Sequence, residues 1–141
     1  MDLSPSAGAD LQGLHITADL HGCNCPAALL TDAALLGRHC TEAVRATGLQ
    51  AVAELFHTFP ATAWGHGGVT ATVLLAESHL CVHTWPEQRA VTLDVYVCNF
   101  GSDHSHRAEA LALAMTRLFL PQAQAVRRLT RGDRGEGADP G

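Results

Sequence analysis

Charge is scarce in this sequence, and long apolar runs are missing. Of 141 residues only 16% are charged, and the formal net charge is −5. A nucleic-acid binder needs a basic face. The one basic stretch, "RRLTRGDR", contains an acid and borders a Gly-rich end, so nucleic acid is not an expected partner. No apolar run reaches the roughly 20 residues of a membrane-spanning helix. The opening "MDLSPSAGADLQG" has neither the basic start nor the apolar centre of a secretory signal. A cytoplasmic protein without a membrane partner is therefore expected. The five cysteines, Cys23, Cys25, Cys40, Cys81 and Cys98, are odd in number and irregular in spacing. That excludes a disulfide framework and fits free thiols. Zinc-binding spacings are also lacking. His21 clusters with Cys23 and Cys25, and His104 with His106, without C-x2-C or a helical H-x3-H. His79 and His83 have the latter spacing, but on a strand, so no metal is expected. No internal repeat is present.

What remains is a globular profile, 47% apolar, long enough for one domain with a real core. The ends, 1–12 and 132–141, are rich in small residues and are expected to be mobile; residues 13–131 form the domain. "LHITADL" (14–20) alternates as a strand does. "CNCPAALLTD" reads as a loop ending at a helix cap, Thr31 or Asp32. Leu36, Cys40, Ala43 and Val44 then recur at helical spacing until Gly48. Strands are expected at 50–59, 69–77, 79–85 and 90–98, with a breaker-rich loop at 60–68. On the last of these strands Val91, Leu93, Val95 and Val97 share one face, and Thr92, Asp94, Tyr96 and Cys98 the other. A second helix over about 103–120 carries Ala108, Leu111, Ala114, Met115 and Leu118 in its stripe. A short strand at 125–131 follows. The order β-α-β-β-β-β-α-β lacks strict alternation. It predicts an α+β two-layer sandwich, a mostly antiparallel sheet with two helices on one face. The other face would stay open unless a second copy covers it, so a dimer is expected.

One stretch is dense in reactive groups: "AESHLCVHTWPE" (76–87). By residue type alone, a Glu-Ser pair at a strand end is commonly a turn, and a histidine on a strand is more often structural than catalytic. Three features favour chemistry. Glu77 and Ser78 lie between two strand-like runs, where tight geometry can be imposed on their peptide bond. An antiparallel return would bring the strand that carries Cys98 on its polar face alongside residues 79–84. Thr70 offers a further hydroxyl. A serine beside a strained peptide can attack the preceding carbonyl and turn amide into ester. Removal of the Ser78 α-proton then expels the Glu77 carboxylate and leaves dehydroalanine, which hydrolyses to a pyruvoyl group and ammonia. The chain is thereby divided into 1–77 and 78–141. Such a carbonyl condenses with amines and serves as an electron sink for decarboxylation. His83 has the right chemistry for an acid/base in the cut, and Cys98 for a proton donor. On a flat strand, however, Ser78 and His83 face opposite ways. A bulge or turn between 77 and 80 is required for them to meet in one chain.

"AESHLCVHTWPE" with "VTLDVYVC" closely resembles the bacterial and archaeal S-adenosylmethionine decarboxylases. Their self-cleavage site lies in an ESH-x-x-x-HTWPE stretch, followed shortly by a cysteine. "HITADLHGC", "LFHTF" and "GVTATVLLAESH" extend the resemblance, with Thr70 where that family usually has a serine. The resemblance implies a covalent pyruvoyl cofactor derived from Ser78, cleavage between Glu77 and Ser78, processing by His83 with support from Thr70, and proton donation by Cys98. It also implies an α/β sandwich that dimerises with two sites near the interface, and a product that donates an aminopropyl group for spermidine synthesis.

Three segments depart from the family pattern: the longer loop "FPATAWGHGGVT", "CNCP" and "RRLTRG". They bear on substrate choice, because relatives decarboxylate arginine or ornithine. S-adenosylmethionine calls for aromatic faces, with Phe56, Phe59, Trp64 and Trp85 as candidates. A guanidinium calls for a carboxylate, from Glu54, Glu87 or Asp94. The intact core motif favours S-adenosylmethionine. Phe56, Trp64 and Glu87 are the leading substrate-binding candidates. A non-catalytic dimeric binding module is the remaining alternative.

Overall fold

A computed structural model describes residues 11–135; the rest of the ends expected to be mobile lies outside the described residues. Six strands form one antiparallel sheet: β1 (Gly13–His21), β2 (Ala51–Thr58), β3 (Val69–Leu75), β4 (Ser78–Trp85), β5 (Ala90–Cys98) and β6 (Ala123–Arg131). Their order across the sheet is β2-β3-β4-β5-β1-β6. Helix α1 (Ala28–Thr31) is one turn; α2 (Ala33–Ala46) and α3 (Ser105–Phe119) are the long ones. Helix α2 packs on β2 and β3, and α3 on β1 and β5. The α+β two-layer sandwich read from the sequence is the observed architecture.

Alternation decides the two sheet faces. Val91, Leu93, Val95 and Val97 of β5 are buried under the helices, while Thr92, Asp94, Tyr96 and Cys98 are half-buried on the other face. Strands β3 and β4 repeat the pattern, burying Val69, Ala71, Val73 and Leu75, then Leu80 and Val82. From α2 the core receives Leu36, Cys40 and Val44 as the spacing predicted. Asp32 is the cap, accepting from the Leu35 N–H at 3.1 Å, and Gly48 follows the helix at φ 87°. In α3 the stripe is Ala108, Leu111, Ala112, Met115 and Phe119; Ala114, expected in it, is exposed, and the stripe runs through Ala112 and Phe119 instead. The segment read as a loop before Asp32 contains α1. Leu29 and Leu30 are buried there, and burial rather than periodicity drives so short a helix.

Thr84 joins three elements at the edge of this core. Its hydroxyl donates to the Leu30 carbonyl at 2.7 Å and accepts from the Val69 N–H at 2.8 Å, and the residue is buried. Replacing Thr84 by Val keeps the shape and orphans both backbone groups. Each orphan costs about 1–3 kcal/mol. Urea denaturation is expected to show Thr84→Val destabilised by about 2–4 kcal/mol. A loss below half a kcal/mol would mean that water satisfies the pair.

Candidate active site

Hairpin β3–β4 reverses in two residues. Leu75 pairs with Ser78, so Ala76 and Glu77 alone make the turn. Glu77 takes the left-handed backbone, with φ at 59°. That region costs a side-chain-bearing residue about 1–2 kcal/mol. The Glu77–Ser78 bond thus leaves a strained turn and enters a strand paired on both sides, which is the tight geometry the sequence predicted for it.

Ser78 Oγ accepts a hydrogen bond from the Cys98 backbone N–H at 3.1 Å. Cys98 ends β5, and its Sγ lies 3.9 Å from the Leu11 carbonyl. Antiparallel β4–β5 pairing brings the Cys98 strand alongside 79–84 as expected, and the two sequence-distant residues Ser78 and Cys98 become neighbours at its end.

His83 and Thr70 form a second pair. They are register partners across β3–β4, with Thr70 Oγ1 3.0 Å from His83 Nδ1. Both line a cavity of about 590 Å³ together with Phe59, Trp64, Trp85 and Glu87. Its outer wall is the 60–68 loop. The Phe59 N–H donates to the Gly68 carbonyl at 2.9 Å and closes the loop base. The Thr62 hydroxyl accepts from the Trp64 N–H at 3.0 Å and shapes the tip.

One chain does not unite the two pairs. Ser78 and His83 are five residues apart on β4, about 17 Å at the rise of an antiparallel strand. The β3–β4 ladder is unbroken from Ser78 to His83, so the bulge required between 77 and 80 is absent. The chain reverses ahead of residue 78, at Ala76 and Glu77, and strict alternation from there keeps Ser78 and His83 on opposite faces.

The substrate-facing candidates separate in the same way. Trp64 and Glu87 line the cavity, as do Phe59 and Trp85. Phe56 does not. It lies on the helix side of β2, where its ring occupies the space a Cβ on Gly37 would need. Glu54 accepts from the Thr41 hydroxyl of α2 at 3.1 Å and is also turned away. Cys23 and Cys25 are buried; burial and the neighbouring Cys25 push the Cys23 thiol up to about 11. His104 and Arg107 interact with each other at the start of α3.

Asp94 is already engaged, in a cluster that no spacing in the sequence announces. Its Oδ2 lies 2.7 Å from His79 Nε2 and 2.9 Å from His15 Nε2. Tyr96 sits between the two imidazoles as the register partner of both. Arg131 lies over the Tyr96 ring, 5.6 Å from its centroid, and its Nη1 is 2.7 Å from His15 Nδ1. Burial pushes the Asp94 carboxyl up, but the hydrogen bonds from His79 and His15 outweigh it and hold the group below the usual value. The three ligand atoms of His15, His79 and Asp94 lie within 4.8 Å of one another, the one such trio among the described residues. A cation needs their lone pairs, and Arg131 opposes that. A guanidinium only donates, so His15 Nδ1 accepts, and Nε2 carries the proton that Asp94 receives. This is a hydrogen-bonded chain, Arg131–His15–Asp94–His79. The alternation of β1 and β5 was legible, but the register that sets His15 and His79 on either side of Tyr96 was not.

The chain is similar to known proteins over most of its length. The family model described as S-adenosylmethionine decarboxylase matches residues 14–132. An S-adenosylmethionine decarboxylase proenzyme from Thermoplasma volcanium is 33% identical over 86% of this chain and 85% of that protein. One of the same name from a Hydrogenobaculum strain is 41% identical, over 61% of this chain and 59% of that protein. The crystal structure of the adenosylmethionine decarboxylase from Aquifex aeolicus superposes with a TM-score of 0.74 at 27% identity, covering 93% of this chain and 99% of that one. The sheet, its strained central hairpin and the "ESHLCVHTWPE" stretch are thus carried by a chain that belongs to the S-adenosylmethionine decarboxylase family.

Proposed function

We propose that this chain cuts itself between Glu77 and Ser78 and that the resulting enzyme, a carboxy-lyase, decarboxylates S-adenosylmethionine. The observation that carries the reading is the placement of Ser78 directly after a left-handed Glu77, with its hydroxyl oxygen held by the Cys98 N–H. In the cut, Ser78 Oγ bonds to the Glu77 carbonyl carbon and the C–N bond breaks, giving an ester. Loss of the Ser78 α-proton breaks the Cβ–Oγ bond, so Oγ departs with the Glu77 carboxylate. Water then replaces the nitrogen, released as ammonia, and residue 78 is left as a pyruvoyl group. That ketone supplies an electron sink for losing CO2 from an amine-bearing substrate. The chain contains no lysine, so it has no ε-amino group with which to hold an aldehyde cofactor instead.

The residues around Ser78 fit this use. Cys98 ends the neighbouring strand, its backbone N–H on Ser78 Oγ, and is assigned the proton donor. His83, with Thr70 on its Nδ1, is assigned the processing acid/base. Trp64, with Phe59 and Trp85, supplies aromatic walls for an adenine and a sulfonium, and Glu87 a carboxylate at the rim. The aromatic cavity favours S-adenosylmethionine over arginine or ornithine. All five cysteines are free, as a cytoplasmic setting would leave them. No helix among the described residues is long and apolar enough to cross a membrane.

Self-association is part of this reading. Cys98 and His83 lie toward opposite ends of the open face, with Ser78 at the turn beside Cys98, and a two-fold partner on that face would bring the His83–Thr70 end of one copy to the Ser78–Cys98 end of the other. The open sheet face carries exposed Leu55, Leu74, Trp85 and Leu129, an apolar surface of the kind such partners cover.

Four measurements test this reading. Intact-mass analysis is expected to find fragments 1–77 and 78–141, with methoxyamine adding one oxime to the second; a persistent whole chain overturns it. Ser78→Ala and His83→Ala are each expected to stay whole. Co-refolded, they form a mixed dimer with one intact site, so part of the His83→Ala chains should be cut; no cutting means that each chain works alone. Glu77→Gly removes the turn strain and is expected to slow scission about fivefold or more, since about 1 kcal/mol is released. An unchanged rate would show that the strain is not used. Cys98→Ala should still cut, yet lose productive decarboxylation by about 100-fold or more, as expected of a lost general acid.

A further inference from the structure

Self-cleavage removes two of the ties that hold residue 78 beside its strand pairing with Leu75. The covalent bond to Glu77 is broken. The hydrogen bond from the Cys98 N–H is lost as well, because its acceptor, Ser78 Oγ, leaves with the Glu77 carboxylate. Residue 78 becomes the end of a strand, and strand ends fray unless tied down. Yet the new ketone has to be held still for the chemistry that follows.

The first side chain beyond the cut is His79, and it is tied. Its Nε2 donates to Asp94 Oδ2 at 2.7 Å, and the same oxygen takes the His15 N–H at 2.9 Å. Arg131 closes the far end on His15 Nδ1 at 2.7 Å. His15 belongs to the piece 1–77, whereas His79, Asp94 and Arg131 belong to the piece 78–141. The chain therefore crosses from one product of scission to the other, one residue from the new end. The other ionisable neighbour on β4 is Cys81, which faces Asp94 in register and whose thiol burial pushes up.

We propose that Asp94, acting through His79, is the positioning residue that holds residue 78 in place after the Glu77–Ser78 bond is broken. The proposal rests on the self-cleavage reading above. Before the cut the covalent turn does this work, so scission itself does not need Asp94. After the cut, the carboxylate with its two imidazoles is the remaining side-chain tie at that end.

The test compares cut and uncut protein by amide hydrogen exchange at residues 79–82, alongside oxime mass and turnover. Asp94→Asn is expected to cut fully and to carry the ketone. In its cut form, exchange at 79–82 should rise about tenfold or more, as for loss of a charged hydrogen bond, and turnover should fall by a similar factor. In the uncut Ser78→Ala background the same substitution should leave exchange there nearly unchanged. His79→Leu should reproduce the effect, and His79→Gln, which keeps an N–H for Asp94, should restore most of the protection. Equal loss in cut and uncut protein reduces Asp94 to a general structural part and overturns the proposal. So does wild-type protection in the cut variants, or a failure of Asp94→Asn and His79→Leu to cut. A wild-type chain that stays whole would instead sink the self-cleavage reading, an outcome the wild-type lane separates from the others.

Discussion

The site is organised by a two-residue reversal in the middle of a sheet. Strands β3 and β4 are central, and each is paired on both sides. Their ladder begins directly at Leu75 and Ser78, which leaves only Ala76 and Glu77 to turn the chain. An L-residue in the left-handed region is normally avoided, and the sheet's hydrogen bonds hold Glu77 there regardless. The bond proposed for scission is thus loaded by the same pairing that makes the core. Loosening the hairpin would relieve the strain and also release Ser78 Oγ from the Cys98 N–H.

The same unbroken ladder divides the chemistry. With no bulge after residue 78, alternation runs without a fault to Trp85. Ser78 and Cys98 stay at one end, and His83 and Thr70 stay at the other beside the aromatic cavity. A bulge would have put Ser78 and His83 on one face at the expense of the core register, since a one-residue slip moves every side chain to the other face. The proposed division of the site between copies keeps both the register and the residues. The exposed leucines of the open face are consistent with that solution.

The open face also accounts for residues that no motif explains. His15, His79 and Asp94 come from three strands and meet across Tyr96. Each alone reads as a polar residue on a solvent-facing strand position. Together they bind a carboxylate to two imidazoles and, through Arg131, to the edge strand. Half-buried hydrogen bonds of this kind hold geometry more firmly than exposed ones, because water competes less for their partners.

The sequence by itself determined the layers, the faces and the reactive stretch. Period-two alternation in "AVTLDVYVC" and helical spacing in 33–46 are local properties, and local backbone geometry converts them directly into buried and open faces. The Glu77–Ser78 pair was legible for the same reason, being contiguous. Only the tertiary structure decided which side chains meet. That Asp94 lies between two histidines, that Phe56 is spent on Gly37 rather than on the cavity, and that Ser78 and His83 stay apart all depend on register and strand order. Pairing between strands distant in sequence is fixed by the summed packing of the whole sheet, which no short stretch contains.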